Sequence, residues 1–211
     1  MQDQYIFIFT RVNAFLFFSS VILFLIVVLT AFFKELSRKD YLRRLEKVRK
    51  ISENIFLSSG FEKRIGKIKR EATRSIDKWK RIESLLILGY AKCPGSEKIL
   101  RSGLFSEDED ISYFSMLSLG RLRTKEAGAI LLDFLSFHVF SGYKIVSLLE
   151  EFSSEIIPDI IRTARSSDGL TRFWAIKLLI RFPDRSHLLF VERLIRDNSA
   201  DVRSAACECL G

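Results

Sequence analysis

The sequence predicts an all-α protein with three parts: an N-terminal transmembrane helix, a basic helical neck, and an α-solenoid of about five helix pairs. Three observations predict it. Residues 12–33 carry no ionisable side chain, Lys and Arg crowd the segment that follows, and a leucine then recurs at a spacing of 30 or 31 residues. Composition agrees: the 211 residues are 48% apolar and 28% charged, with 3 prolines and 10 glycines. That balance favours helices over a turn-rich sheet protein. The three cysteines, Cys93, Cys207 and Cys209, are odd in number and lack framework spacing, which argues against a disulfide-stapled secreted domain.

The first element is "VNAFLFFSSVILFLIVVLTAFF", Val12 to Phe33. As a helix it reaches roughly 33 Å, enough to cross a hydrocarbon core of about 30 Å. A cleaved signal peptide would have a basic leader, a shorter apolar stretch and a small-x-small cleavage site. The leader "MQDQYIFIFTR" instead holds one Asp and one Arg, so the segment is expected to remain as an anchor. Residues 34–50, "KELSRKDYLRRLEKVRK", hold eight Lys or Arg against three acids. The positive-inside bias therefore places leader residues 1–11 outside and everything beyond the span in the cytoplasm.

The neck, residues 34–60, is the next element. Residues 34–81 hold 17 basic and 7 acidic side chains, a net of +10, whereas residues 82–211 hold 16 and 18, a net of −2. Tyr41, Leu45, Val48, Ile51 and Ile55 recur at helical spacing, giving an amphipathic helix with a cationic face. Lys34, Arg38, Lys39, Arg43, Arg44, Lys47, Arg49 and Lys50 are its candidate contacts to anionic lipid, at about 1 kcal/mol per nearby cation. The blander reading is that these charges only set topology and keep the helix solvated. Nucleic acid is not an expected partner, since neither interleaved aromatics nor a known binding motif accompanies the charge. "LSSG" at 57–60 ends the neck.

Residues 61–211 carry the repeat. Leu88, Leu119, Leu149, Leu179 and Leu210 mark the second helix of each unit. Four positions earlier stand Ser84, Ser115, Ile145, Ala175 and Ala206; three positions earlier stand Leu85, Met116, Val146, Ile176 and Cys207. Ile68, Ile99, Ile130, Ile160 and Phe190 mark the first helices. Such self-similarity is the signature of a solenoid, in which each unit buries its apolar faces against its neighbours.

The last unit, "LLFVERLIRDNSADVRSAACECLG", resembles a HEAT repeat or the related phycobilin-lyase-like HEAT repeat of bacterial proteins. Asp197 supplies the turn, Asp201-Val202-Arg203 the helix opening, Ala205 and Ala206 the small positions, and Leu210 the leucine. Arg81 and Arg172 match the Arg203 position; Ser112 and Gly142 depart from it. The resemblance spans residues 61–211, and implies an α-solenoid that binds protein partners and carries no catalytic residues of its own. The lyase-like subtype also raises a bilin lyase or isomerase as the rival function, and the neck raises an anionic-lipid or nucleic-acid binder.

Cys207 and Cys209 lie about 200° apart on a helix and cannot face one metal; they read as small apolar fillers. His138 and His187 have no nucleophile or acid partner that the sequence justifies. "SEDED" at 106–110 lacks the spacing and glycine of a calcium loop and reads as a helix cap. No cofactor, metal site or catalytic residue is expected.

The resemblance implies that the second helices line a concave face; there, positions pointing away from the aligned leucine include Phe114, Leu117, Arg121, Lys144, Glu151, Trp174, Lys177 and Arg181. Aromatics framed by arginine have the composition of a protein interface; the alternative is that they pack against the neighbouring unit. The expected function is a membrane-anchored cytoplasmic scaffold or adaptor, by analogy of layout in an envelope or polysaccharide-export assembly. Because Ala205, Ala206 and Cys209 would leave the last flank apolar, the chain is expected to continue past Gly211 or to be covered there.

Overall fold

In a computed structural model of the chain, the described residues are 43, 46–50, 61–93, 95–137, 142–182 and 185–211, and they form helices and turns with no strand. The predicted span at 12–33 and most of the neck lie outside them. Among the described residues no helix is long and apolar enough to cross a membrane. Of the neck cations, Arg43, Lys47, Arg49 and Lys50 are described and exposed. Residues 48–211 form one compact unit, separate from the residues before it.

Within that unit the helices are α1 (Phe61–Arg74), α2 (Lys78–Tyr90), α3 (Glu97–Leu104), α4 (Glu109–Leu122), α5 (Lys125–Phe137), α6 (Gly142–Leu149), α7 (Ile157–Thr163), α8 (Gly169–Leu179), α9 (Leu188–Leu194) and α10 (Ala200–Leu210). Single 3-10 turns, Ser154–Ile156 and Arg185–His187, lead into α7 and α9. The helices pair in sequence, α1 with α2, α3 with α4, and so on to α9 with α10. Each second helix also packs on the next: α2 on α4, α4 on α6, α6 on α8, α8 on α10.

Local chemistry explains the starts. Asp77 begins α2 by accepting from the backbone N–H groups of Trp79 and Lys80. Asp108, in the acidic stretch read as a cap, does the same for Asp110 and Ile111 at the start of α4. Asp168 caps α8 through the Thr171 N–H and hydroxyl, both at 2.7 Å. Side-chain caps of this kind are worth about 1 kcal/mol each. Lys78 reaches the Asp108 and Asp110 carboxylates at 2.9 and 2.6 Å, joining the starts of α2 and α4.

Four of the five aligned leucines are core, and Leu210 is half-buried. Leu88, Leu119, Leu149 and Leu179 are fully buried, as are Ser115, Ile145, Ala175 and Ala206 four positions earlier. Burial of each leucine contributes on the order of 2 kcal/mol. Among the first helices, Ile68 and Ile160 are buried in the predicted register, and the other three are rotated from it. Leu100, Leu131 and Val191 are fully buried, whereas Ile99, Ile130 and Phe190 one position earlier are half-buried. One residue is about 100° of helix, so in α3, α5 and α9 the face pressed on neighbouring helices is centred later than the sequence pattern places it.

Two further expectations change at the last pair. Cys207 is exposed, although its counterpart Ile176 is fully buried. Ile176 is covered by Val202 and Ala205 of α10, with Phe173, Leu194 and Cys209 packed around them. Cys207 holds the corresponding place on α10, which no helix among the described residues covers as α10 covers Ile176. Nor is the exposed side of α10 apolar: Ala205 and Ala206 are buried, Cys209 and Leu210 are half-buried, and Asp201, Arg203, Ser204 and Glu208 face out beside Cys207, while Leu189 and Ile195 of the same pair are exposed.

Candidate partner-binding surface

The charged residues predicted for the concave face are tied to neighbouring pairs. Arg121 of α4 lies over the Tyr90 ring of α2 at 4.1 Å, and its Nη2 donates to the Tyr90 hydroxyl at 3.0 Å. Lys144 of α6 lies 5.0 Å over the Tyr113 ring of α4. Lys177 of α8 donates to both carboxylate oxygens of Glu208 on α10 at 2.8 Å. Arg181 Nε meets Glu150 at 3.1 Å, and Arg123 pairs with Glu151. Tyr90 and Arg121, like Lys177 and Glu208, are 31 residues apart. One register therefore supplies a ladder of contacts, each joining a helix pair to the next.

Of the two aromatics of the predicted face, Phe114 is buried and Trp174 is half-buried. Phe114 is 5% exposed. The Trp174 ring lies on Gly142, filling the space a side chain there would occupy. A fully solvated face needs these rings to stand clear of the fold; packing between neighbouring helices withdraws Phe114 and covers part of Trp174. Leu117 is half-buried; Lys144, Glu151 and Arg181 are exposed.

Apolar surface stands elsewhere. Phe105, at the end of α3, packs edge-on against Phe134 and Phe137 of α5, with centroids 5.4 and 6.0 Å away. Phe105 and Tyr113 are about two-fifths exposed, while Phe137 and Tyr143 are 73% exposed. Phe105, Phe134 and Tyr113 line a cleft of about 820 Å³ together with Glu107, Glu109 and Lys144. A smaller cleft of about 560 Å³ opens on the other side of Phe105, between Arg101 and Phe137. These residues sit at helix ends and beside turns, where helical periodicity carries little information about exposure.

A further cleft of about 430 Å³ lies at the C-terminal ends of α2, α4 and α6. Its polar lining is Tyr90, Lys92, Arg121, Arg123, Ser147 and Glu151, with Leu117 and Leu148 among the apolar groups. Gly89 and Gly120 also border it. Lys92 and Arg123 lie outside the predicted face. Their signal is present in "GYAK" and "GRLR", where glycine and cation recur together 31 residues apart.

Arginine also fastens the C-terminal pairs. Arg172 holds Asp197 through two parallel hydrogen bonds of 2.9 and 2.7 Å, and its Nη1 donates to the Ser166 and Ser167 carbonyls. Arg203 makes the same carbonyl contacts one unit on, to Asp197 and Asn198, while Arg81 donates to the Ala72 carbonyl. The Arg172 hydrogen bonds hold the Asp197 carboxyl below its ordinary range, and the bond from Thr171 does so for Asp168.

Cys209 Sγ lies 3.8 Å from His187 Nε2, but burial and then the neighbouring Glu208 push its thiol up, away from the reactive thiolate. Burial does the same to Cys93. Among the described residues no group of His, Cys, Asp and Glu has the arrangement of a metal site. His138 lies outside the described residues. No family model matches the chain, and a search among curated proteins finds no relative.

Proposed function

We propose that the chain is a membrane-tethered scaffold whose C-terminal part is a HEAT-like α-solenoid that binds a protein partner. The observation that carries this reading is the exposed aromatic group Phe105, Tyr113, Phe137 and Tyr143 beside two clefts on an array of paired helices. Large exposed aromatics in a concave setting are the side chains that dominate protein interfaces. The paired helices supply a rigid frame for them, and the 31-residue ladder keeps successive pairs in register. The tether in this reading is the apolar segment 12–33, with the basic neck on the cytoplasmic side, where anionic lipid would add to attachment.

Affinity capture from membranes tests the scaffold. Phe137→Ala with Tyr143→Ala should remove a specifically captured protein while leaving the thermal midpoint close to wild type, because both rings are largely in solvent. Capture unchanged by the double substitution would sink this surface as the docking site. The tether is tested separately: alkaline carbonate should leave the full chain in the membrane pellet, and its release would refute a spanning segment.

A further inference from the structure

Three cations converge on the cleft at the ends of α2, α4 and α6, and two of them occupy a backbone conformation that side chains rarely adopt. Lys92 and Arg123 have φ of 43° and 55°, and are the non-glycine residues with positive φ among those described. This left-handed position normally falls to glycine, since a Cβ there crowds the backbone. Lys92 closes α2 as a Schellman turn: its N–H donates to the Gly89 carbonyl and that of Cys93 to the Leu88 carbonyl, each at 3.2 Å. Arg123 follows α4 at the corresponding place, 31 residues on. The negative end of the helix dipole accounts for a cation somewhere in the last turn. It does not account for putting one at the single position where glycine is favoured, twice, on the rim of the same cleft.

The third cation is held differently. Arg121 lies flat on Tyr90 and spends Nη2 on the Tyr90 hydroxyl, while its Nη1 is buried without a hydrogen-bond partner. A guanidinium N–H removed from water with no acceptor is a standing cost, which an oxyanion reaching that group would relieve. Against the three cations the lining sets one acid, Glu151, so the cleft carries a net +2 (three minus one). Glu151 is exposed and paired with Arg123 at the rim. The volume of about 430 Å³ suits a small ligand or one protruding side chain.

We infer that this cleft binds an oxyanion, a carboxylate or a phosphate, with Arg121 as its planar donor and Lys92 and Arg123 as flanking charges. It gives a chemistry to one contact of the scaffold's partner, and depends on the scaffold reading only for the source of that group.

Calorimetric titration of the full chain with inorganic phosphate, and separately with a blocked tetraglutamate peptide, tests it at low ionic strength. Saturable single-site binding of at least one probe is expected. Tighter binding of the peptide assigns the anion to a protein segment, and tighter phosphate binding assigns it to a free or esterified phosphate. Lys92→Gly with Arg123→Gly should weaken binding at least tenfold while holding or raising the thermal midpoint, because glycine suits both backbone positions. That pairing separates lost binding from lost folding. Arg121→Lys, which keeps the charge but loses the planar fork, should also weaken it. Affinity unchanged in the glycine variant, or a response to both probes that never saturates, would overturn the assignment. If capture by the aromatic surface persists in that case, the oxyanion site falls and the scaffold stands.

Discussion

At the junction of α2 with α4, Gly89 faces Ser118 so closely that a Cβ would come within 2.7 Å of the Ser118 Cα and 2.9 Å of its carbonyl oxygen. At the junction of α8 with α10, the second helices meet instead through Ile176, Val202 and Ala205, beside the ion pair of Arg172 with Asp197. The same repeat spacing thus supports two fastenings, one built on removing a side chain and one on pairing charges. Both fix the distance between successive helices. At their centres they should fail in different ways, because a steric fit is insensitive to pH and a carboxylate is not; the starts of α2 and α4, joined through Lys78 to Asp108 and Asp110, share the acid dependence.

The largest effect is expected at the ion pair. The Arg172 and Asp197 side chains are only 14% and 9% exposed. Asp197→Ala would leave the guanidinium nearly buried and unpaired, and Asp197 also accepts from the Ser199 N–H at the start of α10. A loss of about 3 kcal/mol is expected in denaturant unfolding; a loss under 1 kcal/mol would show that this pair does not hold the junction.

Gly89→Ala comes next. Helix propensity alone favours alanine by about 1 kcal/mol, yet the contact is with backbone, which cannot rotate away. Net destabilisation of about 2 kcal/mol is expected. A stabilised variant would mean that α2 and α4 are free to separate.

Acid should distinguish the two junctions without mutation. Asp197 and Asp168 titrate below their ordinary value of 3.8 in the fold, through the hydrogen bonds from Arg172 and Thr171 respectively. Their contribution is therefore complete above that value and is lost as the pH falls through the lower folded values. Asp108, lowered chiefly by its hydrogen bond from Lys78, adds to the same trend at the start of α4. Hydrogen exchange below pH 4 should open α8 and α10 before the centres of α2 and α4; simultaneous opening would remove the distinction.

The smallest effect belongs to Cys207→Ser, expected within about 0.5 kcal/mol because the thiol is exposed. Ile176→Ser, at the same register one unit earlier, should cost several times more. Equal effects would mean that the face of α10 is as covered as that of α8.

Much of the helical framework was legible in the residues. The leucine period located the second helices and their buried small positions, since one helical face must be apolar wherever it meets a neighbour. The acidic stretch at 106–110 read as a cap, and Asp108 caps α4. Capping depends on two or three adjacent residues, which a sequence displays directly. The partner-binding face was less legible. Phe114 and Trp174 point away from the aligned leucine, as predicted, but in a packed array that direction meets another helix.

Sequence by itself determined the helical class of the described residues, the period of the units and the places where aspartate starts a helix. These follow from local propensity and from one-dimensional spacing. Tertiary structure alone decided that Gly89 admits Ser118, that Trp174 covers Gly142, and that Ile176 is buried while Cys207 is not. It also brought Lys92, Arg121 and Arg123 to one cleft, by stacking turns that lie 31 residues apart in the chain. The physical reason is common to all four. Exposure and convergence belong to pairs of helices, and a residue's own neighbours in sequence do not contain the helix that will cover it.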